Sequence, residues 1–324
     1  MDTGSHLLFG FTLAGAALLV PEVAGDASLI HAMVAASMIG SHAPDFDAVV
    51  RLKGEAAYLR NHRGITHSLP APFVWSLMIG LPCAGWFGVM EHALLVIMWS
   101  LLAVVFHITL DLFNGYGVQC LRPFSSRWLH LDALCLFDPY LFAAHLVGAL
   151  LWISGLLPQP GLMFSILYAA TCAYIGWRWF EHRRRLKQVE AVMGAGLRVT
   201  LLPSMRGATW QFVAEGADEY RTGNVSNKGV QVEATIHKSL SGQLPDAALA
   251  TMATDGVRAF LNFAENVHVN VQERLDGYEV TWSDVRFWHN HKMPFHAAVT
   301  LDRQMNVRDC RLGWDKKTWE PPHV

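Results

Sequence analysis

The sequence predicts a membrane all-α helical bundle followed by a soluble α+β domain, in which an antiparallel sheet packs on one helix. Hydrophobic residues make up 52% of the 324 residues, and most of them lie before about residue 181 in long apolar segments. From Leu197 onward, short runs alternate between apolar and polar residues, as half-buried strands do. The predicted organisation is therefore a membrane domain at 1–182, a basic linker at 183–196 and a cytoplasmic domain at 197–324.

Five apolar segments approach the length of about 20 residues that a helix needs to cross the hydrocarbon core of a bilayer. They are residues 7–25, 70–90, 92–112, 140–157 and 161–180. The shorter segment at 29–40 fits a tilted span, a re-entrant piece or a buried helix. In each case it must return the chain to the side from which it came.

Basic residues are unevenly distributed between the two sets of connections. One set carries Glu22, Asp26 and Glu91 and contains no lysine or arginine, whereas the other is rich in both. Positive residues in short loops stay on the cytoplasmic side. We therefore expect a multi-pass protein of the inner, or cytoplasmic, membrane, with the basic connections and the C-terminal half in the cytoplasm.

The cysteines and the charge balance give little further information. Five cysteines are an odd number and include no Cys-x-x-Cys pair, so neither a disulfide framework nor a thiolate zinc site is expected. The first residues lack the basic leader and cleavage site of a signal peptide. The net charge of -2 gives no information about partners, no specific nucleic-acid partner is indicated, and the oligomeric state is not determined by the sequence.

Six short motifs rich in histidine or aspartate border the apolar segments, all on the basic side. They are MDTGSH at 1–6, SHAPDFD at 41–47, HRGITHS at 62–68, HITLD at 107–111, HLD at 130–132 and FDP at 137–139. Imidazole and carboxylate groups are costly at membrane depth unless they are paired, hydrated or bound to metal. Because all six motifs lie on the same side of the membrane segments, the sequence predicts that they form one functional site.

Two of these motifs supply candidate carboxylate ligands for a metal. His107 and Asp111 are four residues apart on a predicted helix, so both project from one face and can hold one cation. Asp45 and Asp47 follow Pro44, where an extended chain would point them to opposite sides. We therefore prefer Asp45 as the ligand and Asp47 as a partner that orients a histidine.

The motif at 62–68 adds two imidazoles and a cation. His62 and His67 flank Gly64, and a loop can bring both rings to one point. Arg63 suits a phosphate, which its guanidinium binds through two hydrogen bonds. Thr66 or Ser68 is expected to cap the helix that begins near residue 70. The whole candidate metal set is His6, Asp45, His62, His67, His107 and Asp111.

Imidazole and carboxylate ligands without thiolate favour zinc or another transition ion, and we expect one to three ions. Metal-activated water would then attack a phosphoester, with a lipid or amphiphilic substrate favoured by the membrane location. The candidate catalytic residues are Asp47, Arg63, Arg122 and Asp138, the last of which also suits a helix N-cap. The alternative is a metal-binding transporter or sensor without hydrolysis, although transporters usually place their ligands near the bilayer midplane.

Six stretches, in order, resemble the bacterial membrane-bound metal-dependent hydrolases, a LexA-regulated family of the inner membrane. They are MDTGSH at 1–6, PDFD at 44–47, HRGITHS at 62–68, DLFNGYG at 111–117, LRPFS at 121–125 and FDP at 137–139. Ser5 stands where the family pattern has threonine, which keeps the hydroxyl. The serial order of histidines and aspartates is also similar to zinc-dependent phospholipase C and single-strand nucleases, which implies phosphodiester chemistry.

Six strands and one helix are predicted in the C-terminal half. The strands are 199–202, 209–213, 230–237, 267–272, 278–282 and 297–301, and the helix is 245–263. Asp276 and Gly277 are expected to form a hairpin turn between two of the strands. The function of this half is not predicted by its sequence.

Overall fold

The computed structural model describes residues 1–194, 196–205, 207–238, 244–289 and 291–315, so the last nine residues of the predicted cytoplasmic domain lie outside the described part. The chain divides into two compact units. The first unit contains Met1–Ala48 and His62–Phe180, and the second contains Val49–Asn61 and Glu181–Val324. The segment at 49–61 therefore groups with the C-terminal half, although it lies within the predicted membrane domain.

The N-terminal region is helical. Its helices are α1 (Thr3–Ala16), α2 (Pro21–Gly25), α3 (Ala27–Gly40), α4 (Glu55–Asn61), α5 (Ala71–Trp86), α6 (Ala93–Leu112), α7 (Pro139–Ile153) and α8 (Pro160–Met193). Three aspartates begin helices in the expected way, because the carboxylates of Asp2, Asp26 and Asp138 accept hydrogen bonds from the first free backbone N–H groups of α1, α3 and α7. Short 3₁₀ helices at Ala43–Lys53 and Ile65–His67 follow α3 and precede α5.

Helix α3 packs against α1, α5 and α6, and α5 packs against α6. Glycines lie at two of these contacts. A Cβ atom added at Gly10 of α1 would come within 2.7 Å of the Ser37 carbonyl oxygen, and one at Gly80 of α5 within 2.7 Å of the Ile97 Cα atom. Small residues therefore let these helix backbones approach closely, as they commonly do in membrane proteins.

Among the described residues, two helical segments are long and apolar enough to cross a membrane, Met90–Leu112 and Pro160–Met193. The number rises to three if one bent pair of helices counts as a single span. The apolar helices Thr3–Leu19, Ala27–Gly40 and Pro139–Ile153 are shorter. The structure therefore supports fewer full-length spans than the five that the sequence predicts.

Helix α8 continues to Met193 and so includes most of the basic linker that the sequence predicts at 183–196. Glu181 forms ion pairs with Arg184 at 3.2 Å and Arg185 at 3.4 Å, the spacing at which side chains meet on a helix. Val189 is fully buried on the first sheet of the second unit. Most of the basic segment is therefore helical, and it carries an apolar stripe beside its charges.

The second unit contains two four-stranded antiparallel sheets, each a simple meander. The strands of the first sheet are β1 (Arg198–Pro203), β2 (Trp210–Glu215), β3 (Glu219–Ser226) and β4 (Gly229–His237). Those of the second sheet are β5 (Val267–Arg274), β6 (Gly277–Asp284), β7 (Phe295–Asp302) and β8 (Val307–Trp314). Helices α9 (Asp246–Thr251) and α10 (Asp255–Phe263) lie between the sheets in the chain.

This arrangement corrects the predicted single sheet with six strands and one helix. Strands β3 and β8 are additional, and both contain glycine and several polar residues, which are depleted in strands. The predicted helix at 245–263 is divided into α9 and α10 at residues 252–254. The predicted hairpin is present, because β5 ends at Arg274 and β6 begins at Gly277.

Candidate metal centre

Four separate parts of the first unit supply the predicted site residues. The start of α1 carries His6, and the 3₁₀ helix after α3 carries Asp45 and Asp47. The segment before α5 contains the histidines at 62 and 67, and the last turns of α6 carry the pair at 107 and 111. The structure brings these distant stretches together.

One ligand atom from each of Asp45, His67, His107 and Asp111 lies within 4.8 Å of the others. The His67 and His107 Nε2 atoms are 3.3 Å apart, and Asp111 Oδ2 lies 3.5 Å from each of them. Asp45 Oδ1 lies 3.8 Å from His67 Nε2 and 3.6 Å from His107 Nε2. Two ligands at about 2.0 Å from a tetrahedral ion are about 3.3 Å apart, so these spacings suit one small cation.

The four residues that could hold the ion are largely buried, so their charged and polar atoms need partners. The side chains of His67, His107 and Asp111 are fully buried, and that of Asp45 is 12% exposed. Among the described residues, Asp45 Oδ1 and Asp111 Oδ2 are buried without a hydrogen-bond partner. A buried carboxylate oxygen without a partner costs free energy that a bound cation would recover. The four residues therefore fit a metal ion.

Neighbouring groups hold the imidazoles in the required orientation. His107 Nδ1 lies 2.6 Å from the Ser41 carbonyl oxygen, to which it donates, so its Nε2 lone pair faces the carboxylates. His67 Nδ1 lies 3.0 Å from Thr66 Oγ1. The ring of His6 stacks on that of His107 with centroids 3.7 Å apart. This arrangement is the kind that metal-binding histidines commonly have.

Asp47 does not face the same point as Asp45. Its Oδ1 lies 2.6 Å from His62 Nδ1, and its Oδ2 accepts hydrogen bonds from the Arg63 backbone N–H at 2.9 Å and the Thr66 hydroxyl at 2.6 Å. Both oxygens are therefore engaged with the segment that carries the two histidines. The carboxylate of Asp47 fixes the loop that positions His67.

Arg63 is almost completely buried, and its backbone has a positive φ of 57°. Its Nη2 lies 3.0 Å from Asp111 Oδ1, while its Nε has no hydrogen-bond partner among the described residues. A non-glycine residue in this strained region is often found at a functional site. Asp111 thus offers one oxygen to a guanidinium and the other to the imidazoles.

The charge state of Asp45 supports its role as a ligand. Burial alone would raise the pKa of its carboxyl group, but the nearby His107 imidazole, whose Nε2 lies 3.6 Å from Asp45 Oδ1, holds that pKa well below its ordinary value. Asp45 is therefore an ionised carboxylate at neutral pH. Its Oδ1 atom is available to a cation.

The remaining predicted site residues lie in different surroundings. His6 Nε2 lies 3.4 Å from Asp111 Oδ1 and 2.9 Å from the Met1 nitrogen, so His6 borders the four-residue group. His62 belongs to a second group with Asp45 and Asp47.

The other two candidate catalytic residues have structural contacts. Asp138 caps α7 and accepts a hydrogen bond from the Tyr174 hydroxyl at 3.0 Å. The backbone carbonyl oxygen of Arg122 accepts a hydrogen bond from the Leu69 N–H. The side-chain Nε of Arg122 has no hydrogen-bond partner in the described part of the chain. Catalytic roles for both stay predictions.

Two local expectations were wrong, and one contact was missed. Neither Thr66 nor Ser68 caps α5, because Thr66 donates to Asp47 and Ser68 donates to the Ile65 carbonyl oxygen. The segment at 43–53 is a 3₁₀ helix and not an extended chain. The Ser41 carbonyl was missed because a backbone acceptor has no signature in the residue type.

Comparison with known proteins gives the relationships of both parts of the chain. Residues 1–185 match the family described as YdjM inner membrane protein, and residues 246–320 match the family described as YfhP C-terminal alpha/beta plait domain. A relative from Bacillus subtilis (strain 168), the uncharacterized protein YfhP, is 34% identical over 316 residues, which cover 97% of this chain and 95% of the relative. No solved structure matches the chain.

Proposed function

Since the chain belongs to the YdjM inner membrane protein family, we propose that it is an integral membrane, metal-dependent hydrolase that cleaves a phosphoester. Asp45, His67, His107 and Asp111 would hold one divalent transition-metal ion, for which two imidazoles and two carboxylates suit zinc. The observation that carries this proposal is the position of two buried, unpartnered carboxylate oxygens opposite two imidazole nitrogens.

A bound ion of this kind acidifies a water molecule and polarises a phosphoryl oxygen, which is the chemistry that phosphoester hydrolysis requires. Arg63 would bind the phosphate, because its Nε has no hydrogen-bond partner among the described residues. Its Nη2 contact with Asp111 holds the guanidinium beside the four-residue group. Arg63 would thereby stabilise negative charge that develops on the phosphoryl oxygens.

One ion is favoured over two. The second group of Asp45, Asp47 and His62 would need an oxygen of Asp47, but His62, the Arg63 N–H and the Thr66 hydroxyl already engage both of its oxygens. A second cation would have to displace these contacts. Asp47 and His62 are therefore proposed to position the loop and not to bind the ion.

The proposal is tested on protein purified in detergent, by elemental analysis and by hydrolysis of bis(p-nitrophenyl) phosphate with and without a chelator. We expect about one equivalent of a transition metal and turnover that the chelator abolishes and added metal restores. Stoichiometric metal without turnover of this ester or of a panel of phosphomonoesters would favour a transporter or sensor. Less than a tenth of an equivalent in folded protein would contradict the metal centre itself.

Asp47→Asn tests the proposed positioning role. An amide keeps the size of the side chain but cannot accept all three hydrogen bonds at once, so we expect the affinity for zinc to fall by about 10–100-fold, as when partners of metal ligands are removed. Asp132→Asn is the matched control, since Asp132 pairs with His130 at 2.8 Å in the same way. Zinc affinity is measured by competition with a chromophoric chelator, and equal affinities in the two variants would contradict the role.

We also propose that the C-terminal half faces the cytoplasm, because the basic connections lie on that side. A fluorescent protein fused after Gly196, just beyond α8, should then be fluorescent in cells. Alkaline phosphatase fused at the same position should be inactive. The opposite pair of results would reverse the proposed orientation.

A further inference from the structure

A cavity of about 510 Å³ lies between α1, α6 and α8 of the first unit, on the part of these helices that leads away from the metal centre. Its walls include Leu13, Ala16, Trp99, Leu102, Phe106 and Tyr168. This volume is within the range of about 300–1,000 Å³ that is usual for small-molecule sites. We refer to this cavity as the apolar groove.

The few polar atoms in the walls of the apolar groove are engaged elsewhere. The Tyr168 hydroxyl donates to the Phe9 carbonyl oxygen at 2.5 Å, and Ser165 Oγ donates to the Gly161 carbonyl oxygen at 2.9 Å. The indole N–H of Trp99 donates to the Leu13 carbonyl oxygen at 3.0 Å. Water in the groove would find few partners, because a stable buried water needs two to four polar contacts. A hydrocarbon chain makes no hydrogen bonds, so it would lose none by entering the groove.

The apolar groove lies close to the metal centre along two helices. On α6, Phe106 lines the groove and is followed directly by His107. On α1, Leu13 lies seven residues after His6, which is about 10 Å at a rise of 1.5 Å per residue. The distance between the two is therefore short enough for the acyl chain of an amphiphilic molecule whose headgroup lies at the metal centre.

The geometry points to a lipid as the substrate, with one acyl chain in the apolar groove and its phosphoester at the metal centre. This inference rests on the proposed phosphoesterase function. The groove lies on two candidate membrane spans, α6 and α8, so acyl chains are the medium that these helices contact. A water-soluble phosphoester has no apolar chain that could occupy the groove.

The site is tested with a phosphatidylglycerol that carries a diazirine in one acyl chain, added to the full chain in lipid nanodiscs. Light-induced adducts are mapped by mass spectrometry. Ala16→Phe and Ser165→Phe each fill the groove from a different helix, and we expect each to reduce adducts on the lining residues at least fivefold. Val105→Phe is the matched control, because Val105 is exposed on α6 but does not line the groove.

Uniform adducts over all exposed apolar helix faces, unchanged in both groove variants, would overturn the inference. A second measurement separates this result from failure of the proposed function. Hydrolysis of the long-chain lipid is compared with hydrolysis of bis(p-nitrophenyl) phosphate, and Ser165→Phe should lower the ratio of their kcat/KM values at least tenfold. Hydrolysis of the soluble ester without adducts in the groove would refute the lipid site alone. Adducts in the groove without hydrolysis of either ester would refute the phosphoesterase function and so the lipid as its substrate.

Discussion

Asp111→Ala is expected to lower the free energy of unfolding by about 3–5 kcal/mol, the usual loss when one partner of a buried ion pair is removed. Asp111 is fully buried, and its Oδ1 lies 3.0 Å from Nη2 of the nearly buried Arg63. After the substitution, the guanidinium would keep its charge in a nearly buried position without the carboxylate that pairs with it. The measurement is unfolding in detergent with a chelator present, so that loss of metal does not contribute.

A double-mutant cycle isolates this pair. Arg63→Met should also destabilise the protein, because it removes the guanidinium that pairs with Asp111 Oδ1. The double variant Arg63→Met/Asp111→Leu removes both charges and should recover more than half of the summed loss. Strictly additive losses would show that the two charges do not interact. The proposed ion pair of Arg63 and Asp111 would then be wrong.

His67→Ala is expected to weaken zinc binding by more than the roughly 100-fold that is the upper end for loss of an outer partner of a metal ligand. The ring of His67 is fully buried, and its Nε2 lies 3.3–3.8 Å from the other three ligand atoms. Its removal leaves the ion with only three of the four ligand atoms. The affinity is measured by chelator competition, and turnover should fall in parallel.

Two further histidine variants sharpen this prediction. His31→Ala removes an exposed ring on α3 and should leave zinc affinity unchanged. His62→Ala should have an effect of less than tenfold, because in our proposal His62 contacts Asp47 and not the ion. Equal large losses in His62→Ala and His67→Ala would instead indicate that a second ion occupies the group of Asp45, Asp47 and His62.

The sequence predicts much of the candidate site because helix and loop geometry are local. The four-residue spacing of His107 and Asp111 places both on one face of α6, and the structure has them on that face. Proline at 44 and glycine at 64 indicate where the chain turns near the ligands. The pairing of Asp47 with His62, and not with the ion, depends on the folded loop, which no spacing in the sequence specifies.

The fold is less predictable where packing competes with composition. In β3, Gly223 is unfavourable in an isolated strand, but it is buried between β2 and β4. The basic end of α8 has the composition of a linker, yet Val189 is buried among residues of the first sheet. Long-range contacts of this kind override local propensity, and a single sequence does not reveal them.

X-ray absorption spectroscopy of the purified protein, at the edge of whichever metal elemental analysis finds, tests the central claim most directly. We predict two imidazole nitrogens and carboxylate oxygen ligands at about 2.0–2.2 Å, with no sulfur. The same spectrum should be lost or altered in His67→Ala and unchanged in His31→Ala. A sulfur-containing first shell, or a spectrum that His67→Ala leaves intact, would contradict a metal centre built by Asp45, His67, His107 and Asp111.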